Sequence, residues 1–308
     1  MNICLFEESE LGKPLAKHDE RTQHIIKVLH KKEGDSFDAG IIGGKAGKAT
    51  ITHIAPKGEA NEGALSFTFV PESDGKPLYP LVLIVGFPRP IQLRRLLRDV
   101  AGLGVCAVHL TGTELGEKSY MESTLVEKGA AYKMLLDGTA QAASTQVPAL
   151  YMHKTLAECL DAVAAEAAGA GTLSAPRALV HCVALDNIRP QCSLHDWLCT
   201  QAADSDSAGK ADAGAFPTQN ATTSGTAYNG DNGTLPTHSA ANDGGAHTDT
   251  VPLYVAAIGS ERGWTDRERT LLEARGFARC GMGSRVLRTE TAATVACSLI
   301  LDSMGKLG

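Results

Sequence analysis

Two short segments in the C-terminal part of the chain combine glycine with groups that could do chemistry. The first reads Ile258-Gly259-Ser260-Glu261-Arg262-Gly263-Trp264-Thr265-Asp266-Arg267-Glu268, and the second Met282-Gly283-Ser284-Arg285-Val286-Leu287-Arg288-Thr289-Glu290-Thr291-Ala292-Ala293. In the first, an apolar run leads into the loop, and Thr265 and Glu268 have the spacing of a capping box, so a helix should begin there. A strand, a glycine loop and a helix start together turn backbone N–H groups toward a ligand at a sheet edge. In the second, Arg288 and Glu290 open an apolar helix, where an unpaired buried charge would be costly. Such groups bind a substrate, pair as Arg288–Glu290, or give way to Thr289 as the helix N-cap. The run Gly281-Met282-Gly283-Ser284-Arg285-Val286 lacks the third glycine of a dinucleotide fingerprint, which argues against a nucleotide-dependent oxidoreductase. The stretch Gly43-Gly44-Lys45-Ala46-Gly47-Lys48 fails as a phosphate loop, because its spacing is wrong and Ala49 stands where a hydroxyl is needed; it reads as a hairpin.

The elements that must hold these segments follow from hydrophobic periodicity. Residues 1–72 read as a small, mostly β unit. It has a short helix at His24–Leu29, turns at Gly34-Asp35 and Gly43-Gly44, and alternating strands at 49–54 and 65–70. A small barrel is its natural closed form. After Pro80 the texture changes. Leu81-Val82-Leu83-Ile84-Val85 is a continuous apolar run suited to a strand buried on both faces. Leu93, Leu96, Leu97, Val100 and Leu103 follow at helical spacing, and 105–110 reads as the next strand. Helices are expected over 127–143 and 155–168, with strands over 178–185 and 253–258. Strands alternating with helices indicate an α/β domain with a parallel sheet over residues 73–308. In such sheets ligands bind beyond the carboxyl ends of the strands.

Composition narrows the class. The chain has 308 residues, is 43% hydrophobic and carries a formal charge of -6. This allows about two domains with a sizeable core. It has no apolar run long enough to cross a bilayer and no basic stretch ahead of its first apolar residues, so a cytoplasmic protein is expected. The eight cysteines lack C-x-x-C spacing and sit mostly among apolar neighbours, as reduced core cysteines do. Sequence spacing exposes no ligand cluster, so no metal is expected. Between Ala203 and Thr250 lie six aspartates and one lysine, and the large apolar side chains there are limited to Phe216, Tyr228 and Leu235. That composition reads as a disordered acidic insert within the folded domain. The remainder is close to neutral, with eight basic against six acidic residues from Leu253 onward, which permits an RNA-binding face.

The pairing of an Ile-Gly-x-Glu-x-Gly loop with Gly283-Ser284-Arg285-Val286-Leu287-Arg288-Thr289-Glu290-Thr291-Ala292 resembles the RsmE family, the SPOUT-class methyltransferases that act on a uridine of 16S ribosomal RNA. His24-Ile25-Ile26-Lys27-Val28-Leu29 followed by Gly34-Asp35 is similar to the start of that family's PUA-like barrel, and Leu103-Gly104-Val105 to its segment after the first long helix. The resemblance implies a PUA-like β-barrel over 1–72 that binds RNA. It also implies a SPOUT α/β domain over 73–308 with a C-terminal trefoil knot and the insert at 203–250, assembled as a homodimer. It further implies S-adenosyl-L-methionine as cofactor, ribosomal RNA or the small ribosomal subunit as partner, and 3-methyluridine as product. Gly259, Ser260, Glu261, Gly263, Met282, Gly283, Val286, Leu287 and Thr289 would then line the cofactor pocket. The uridine imino nitrogen is a weak nucleophile until its proton is lost. Arg288 would favour the anion, and Glu290 would orient Arg288 or relay the proton. Lys27, Lys31, Arg89, Arg94 and Arg95 would contact RNA.

Some residues depart from the family pattern. Gly259-Ser260-Glu261-Arg262-Gly263 stands for Gly-Pro-Glu-Gly-Gly, and Arg262 would be strained if its position required positive φ. Asp137-Gly138-Thr139-Ala140-Gln141-Ala142-Ala143-Ser144 lacks the arginine of a Glu-x-x-x-Gln-x-x-Arg helix. An alternative consistent with these losses is a catalytically impaired relative acting as an RNA-binding ribosome-assembly factor.

Overall fold

The computed structural model describes residues 2–59, 61–123, 129–170, 179–207, 226–227 and 252–307. The chain divides into two compact units, Met1–Leu78 with Leu136–Val147, and Tyr79–Leu135 with Pro148–Gly308. Of the acidic stretch expected to be an insert, 203–207 close a helix and 226–227 form a two-residue strand; the rest of it lies outside the described residues.

The first unit is built on a four-stranded sheet in the order β1 (Cys4–Phe6), β2 (Ser36–Ile41), β3 (Ala46–Ile54) and β4 (Leu65–Ser73). β1 runs parallel to β2, and the other two pairs are antiparallel. Alternation puts Phe37, Ala39, Ala49, Ile51, Leu65 and Phe67 on one face with Phe6 and Ile25, and Phe6 stacks on Phe67 at 4.5 Å. The expected His24–Leu29 helix begins earlier. Asp19 caps Glu20–Gln23 by accepting from the Arg21 amide, and the turn continues as a π-helix over His24–Val28. Lys27 is exposed on it and Lys31 partly so.

The second unit is an α/β sandwich. Its sheet runs β7 (Ala149–His153), β6 (Val105–Thr111), β5 (Tyr79–Gly86), β11 (Leu253–Ile258), β8 (Val180–Leu185), β12 (Ala278–Gly281) and β9 (Cys192–Ser193), each pair parallel. The short β10 (Thr226–Ala227) adds antiparallel to β7. The apolar run in β5 is buried on both faces, as a parallel central strand requires. Val82 and Ile84 pack, with Val255 and Ala257 of β11, against Leu156, Cys159 and Leu160 of the helix Leu156–Ala165 and against Trp264 and Leu272. The Pro90–Leu103 helix and the C-terminal helix Thr289–Ser303 pack on each other, and the latter also lies on β5 and β11.

The edge where the strands deliver the chain is closed by a buried ion pair. Asp186 follows β8, and its Oδ2 accepts from Arg269 Nε at 2.6 Å; the side chains are 1% and 9% exposed. Oδ1 accepts from the Ile188 amide at 2.9 Å. Burial pushes the Asp186 carboxyl up, but Arg269 and the Ile188 and Arg189 amides outweigh that and hold it below its ordinary 3.8. A depressed carboxyl stabilises the fold fully above its unfolded pKa, and this contribution disappears as pH falls through the depressed value. Asp186→Ala, which leaves the Arg269 guanidinium its bond to the exposed Asp266 but removes its buried partner, should lower the unfolding free energy at neutral pH by about 3 kcal/mol in urea titrations, the low end of the cost of breaking a buried pair. A loss under about 1 kcal/mol would show that the pair is not holding this edge.

Candidate functional site

Both glycine segments leave the sheet at the carboxyl edge. β11 and β12 are the two neighbours of β8, so their ends are about 10 Å apart at the usual strand spacing. The first segment is a tight turn. The Gly263 N–H donates to the Ser260 carbonyl at 2.8 Å, and Gly263 has φ of 75°. A Cβ on Gly259 would stand 2.9 Å from the Gly263 carbonyl carbon, and one on Gly86, at the end of β5, would stand 2.6 Å from the Ser260 nitrogen. The turn therefore folds onto itself and onto β5 in backbone contact, which side chains at 86 and 259 would prevent. Trp264, directly after it, is buried and donates from Nε1 to the Leu185 carbonyl of β8 at 3.0 Å. The expected capping box forms: the Glu268 amide donates to Thr265 Oγ1 and the Thr265 amide to Glu268 Oε2, starting the helix Asp266–Ala274.

Arg262 has ordinary negative φ, so the arginine at that position is not strained. Its side chain is exposed and lies 3.9 Å from Glu117 Oε1. Ser260, which replaces the family's proline, is buried, and its Oγ has no hydrogen-bond partner among the described residues. Glu261 is tied to Arg89, with Nε to Oε2 at 3.1 Å, and Arg89 Nε also lies 3.2 Å from the Tyr120 hydroxyl. Arg89, expected on an RNA track, is thus engaged with a residue expected to line the cofactor pocket. This pair spans 172 residues of sequence, a distance that no motif spacing reveals.

The second turn is fastened from below. The Asp186 amide donates to the Cys280 carbonyl and the Gln191 amide to the Arg279 carbonyl. Beyond β12 the chain opens out: Gly283 has φ of 95°, Met282 and Leu287 are partly exposed, and Val286 is 79% exposed. Neither structural role weighed for Arg288, Thr289 and Glu290 is realised. Arg288 itself occupies the N-cap of Thr289–Ser303 without a side-chain cap, and Thr289 is the first helical residue. Arg288 is exposed and has no ion pair among the described residues. Glu290 is 7% exposed, and its Oε2 has no hydrogen-bond partner among them. Arg94 and Arg95 are exposed on the Pro90–Leu103 helix.

This edge suits a small polar ligand. A buried polar atom without a partner is destabilising until something pairs with it, and both Ser260 Oγ and Glu290 Oε2 retain that capacity. Two backbone turns, an unpaired guanidinium and a buried carboxylate can bind a nucleoside-like group and stabilise negative charge beside it. A separate cavity of about 900 Å³ lies beyond β5, β6 and β7, lined by Phe87, Gly112, Lys118, Lys154, Arg267 and Glu268 among others; neither glycine turn lines it.

Sequence spacing exposes no ligand cluster, but the fold brings together one group of side chains that could hold a metal ion. His109, His153 and Cys159 come together in the second unit, each buried. They are 44 and 6 residues apart along the chain, so only folding joins them.

An RNA methyltransferase domain family matches residues 74–178 and 219–301. The ribosomal RNA small subunit methyltransferase E of Treponema pallidum is 36% identical over 305 residues, covering 98% of this chain and 91% of that protein. The fold is shared with a ribosomal RNA small subunit methyltransferase E from Neisseria gonorrhoeae bound to S-adenosyl methionine. That match has a TM-score of 0.61 and 18% identity, and covers 98% of this chain and 97% of the other. It is shared also with a probable rRNA-methyltransferase from Porphyromonas gingivalis, with a TM-score of 0.62, 17% identity and full coverage of both chains. With a family model over more than half of its length and a relative this similar along nearly the whole of both chains, the chain belongs to the ribosomal RNA small subunit methyltransferase E family.

Proposed function

We propose that this chain is an S-adenosylmethionine-dependent methyltransferase of 16S ribosomal RNA and that its product is 3-methyluridine. One observation carries the site assignment: the two glycine turns flank β8 at a common edge, and the second leads directly to an unpaired Arg288 and a buried Glu290. S-adenosylmethionine, when bound, supplies a methyl group on a sulfonium centre. Gly259, Ser260, Glu261 and Gly263 on one side, with Met282, Gly283, Val286, Leu287 and Thr289 on the other, would hold it largely through backbone groups. Ser260 Oγ is free to donate to it.

Arg288 stabilises the uridine anion by placing its guanidinium by the base carbonyl oxygens, where charge accumulates when the imino proton leaves. Glu290 accepts that proton or holds it for transfer to solvent. Holding the nucleophile in line contributes further, since positioned reactants avoid much of the entropic barrier. Arg89 is a positioning residue, because it fixes Glu261 in the first turn. Arg94 and Arg95, with Lys27 and Lys31 of the first unit, make phosphate contacts.

The resemblance supports three further assignments: a PUA-like barrel for the first unit, a trefoil knot at the C-terminal end of the second, and a homodimer. The intercalation of the late strand β11 between β5 and β8 is consistent with such a knot. Among the described residues no helix is long and apolar enough to cross a membrane, and we place the enzyme in the cytoplasm.

Calorimetric titration should give saturable S-adenosylmethionine binding to the purified chain; no detectable binding would leave the RNA-binding alternative. Arg288→Ala should lower kcat by about 10²–10³-fold while changing cofactor affinity by less than about threefold. Unaltered turnover in that variant would remove Arg288 from the reaction. The product is read by reverse transcription of 16S ribosomal RNA, because methylation at ring nitrogen 3 blocks pairing and stops extension. A stop that persists when the gene is deleted would contradict the assignment.

A further inference from the structure

Away from the two glycine turns, two imidazoles and a thiol meet in the interior of the second unit. His109 lies on β6 and is fully buried, His153 ends β7 and is 3% exposed, and Cys159 lies on the helix Leu156–Ala165 and is fully buried. One ligand atom from each lies within 4.8 Å of the others. The facing nitrogens, His109 Nδ1 and His153 Nε2, are 3.0 Å apart. Two nitrogens on one tetrahedral zinc ion, at 2.0–2.1 Å each, stand about 3.3 Å apart, so the nearly coplanar rings, with centroids 5.2 Å apart, must spread by a few tenths of an ångström and turn toward a shared ion.

The surroundings also accommodate a metal centre. The outer ring nitrogens, His109 Nε2 and His153 Nδ1, are buried and make no hydrogen bond among the described residues. Glu166 Oε2 lies 3.5 Å from His109 Nε2. With Nδ1 committed to a metal, Nε2 carries the proton and faces that carboxylate, the arrangement that fixes the tautomer and raises ligand basicity at metal sites. The charges also close: a divalent ion is offset by the Cys159 thiolate and the Glu166 carboxylate, leaving no net charge in the interior.

We propose that His109, His153 and Cys159 form a buried three-ligand site for a divalent ion that favours nitrogen and sulfur donors, zinc(II) above all, with water as its fourth ligand. Two imidazoles and a thiolate suit such an ion and exclude magnesium or calcium, which take oxygen ligands. On binding, a sulfur–metal bond replaces the Cys159 S–H bond and the proton passes to solvent. The ion pins the ends of β6 and β7 to the helix behind them. This assignment is independent of the methyl-transfer reading and is tested apart from it.

The full-length protein is produced in zinc-depleted medium supplemented with cobalt(II), so that the buried site loads during synthesis. Elemental analysis should then find about one cobalt per chain, with a thiolate-to-cobalt charge-transfer band in the near ultraviolet and the intense visible bands of tetrahedral cobalt(II). Cys159→Ser, which keeps nearly the same volume, should lose the charge-transfer band. Its far-ultraviolet circular dichroism confirms that it folds. Should that variant not fold, the unsubstituted protein decides the matter alone through its stoichiometry and spectrum. Folded protein free of cobalt and zinc would overturn the proposal. So would a charge-transfer band that survives in Cys159→Ser, because the thiolate would then belong to another cysteine such as the exposed Cys192 or Cys199.

Discussion

The organising constraint in this molecule is parallel strand direction. β8 has β11 on one side and β12 on the other, and all three run the same way. Whatever follows β11 and β12 must therefore emerge at the same edge of the sheet. Two segments separated in sequence by a helix become neighbours for that reason, and the buried Asp186–Arg269 pair fastens the end of the strand between them. Main-chain groups crowd together at this edge because three glycines, at 86, 259 and 263, allow the backbones to meet where a Cβ or an ordinary φ would keep them apart.

The remaining polar groups divide into those whose capacity is used and those held in reserve. Glu268 is used fully: one oxygen caps its own helix and the other accepts from the Glu114 amide at 2.8 Å. Glu261 is engaged by Arg89. Ser260 Oγ, Glu290 Oε2 and the Arg288 guanidinium are not engaged within the described chain, and they sit on or beside the two turns. The proposed site, assembled from unengaged groups on a rigid sheet edge, is preorganised. Its groups need not break existing bonds before meeting a ligand, and that lowers the penalty of binding.

Much of the second unit was legible in the sequence because its signals are local. A continuous apolar run can be read as a central strand without tertiary knowledge, and β5 and β11 fall where the runs lie. The Thr265–Glu268 capping box is likewise a spacing rule, and it forms as expected. β12 carried no such signal, since Ala278-Arg279-Cys280-Gly281 has neither alternation nor an apolar run, and Arg279 is accommodated by pairing with Glu273. The Arg262 position could not be judged from residue type, because strain depends on φ and its φ is ordinary. The Arg89–Glu261 pair and the His109–His153–Cys159 cluster join residues far apart in the chain, and only the strand order reveals them.

The central claim is that the methyl donor binds across the two glycine turns and not in the cavity beyond β5, β6 and β7. Amide hydrogen–deuterium exchange with and without S-adenosylmethionine tests it most directly. Slowed exchange in both 259–263 and 281–287, with the loop 112–121 unchanged, is the expected result. Protection confined to 112–121, or to one turn without the other, would contradict the account.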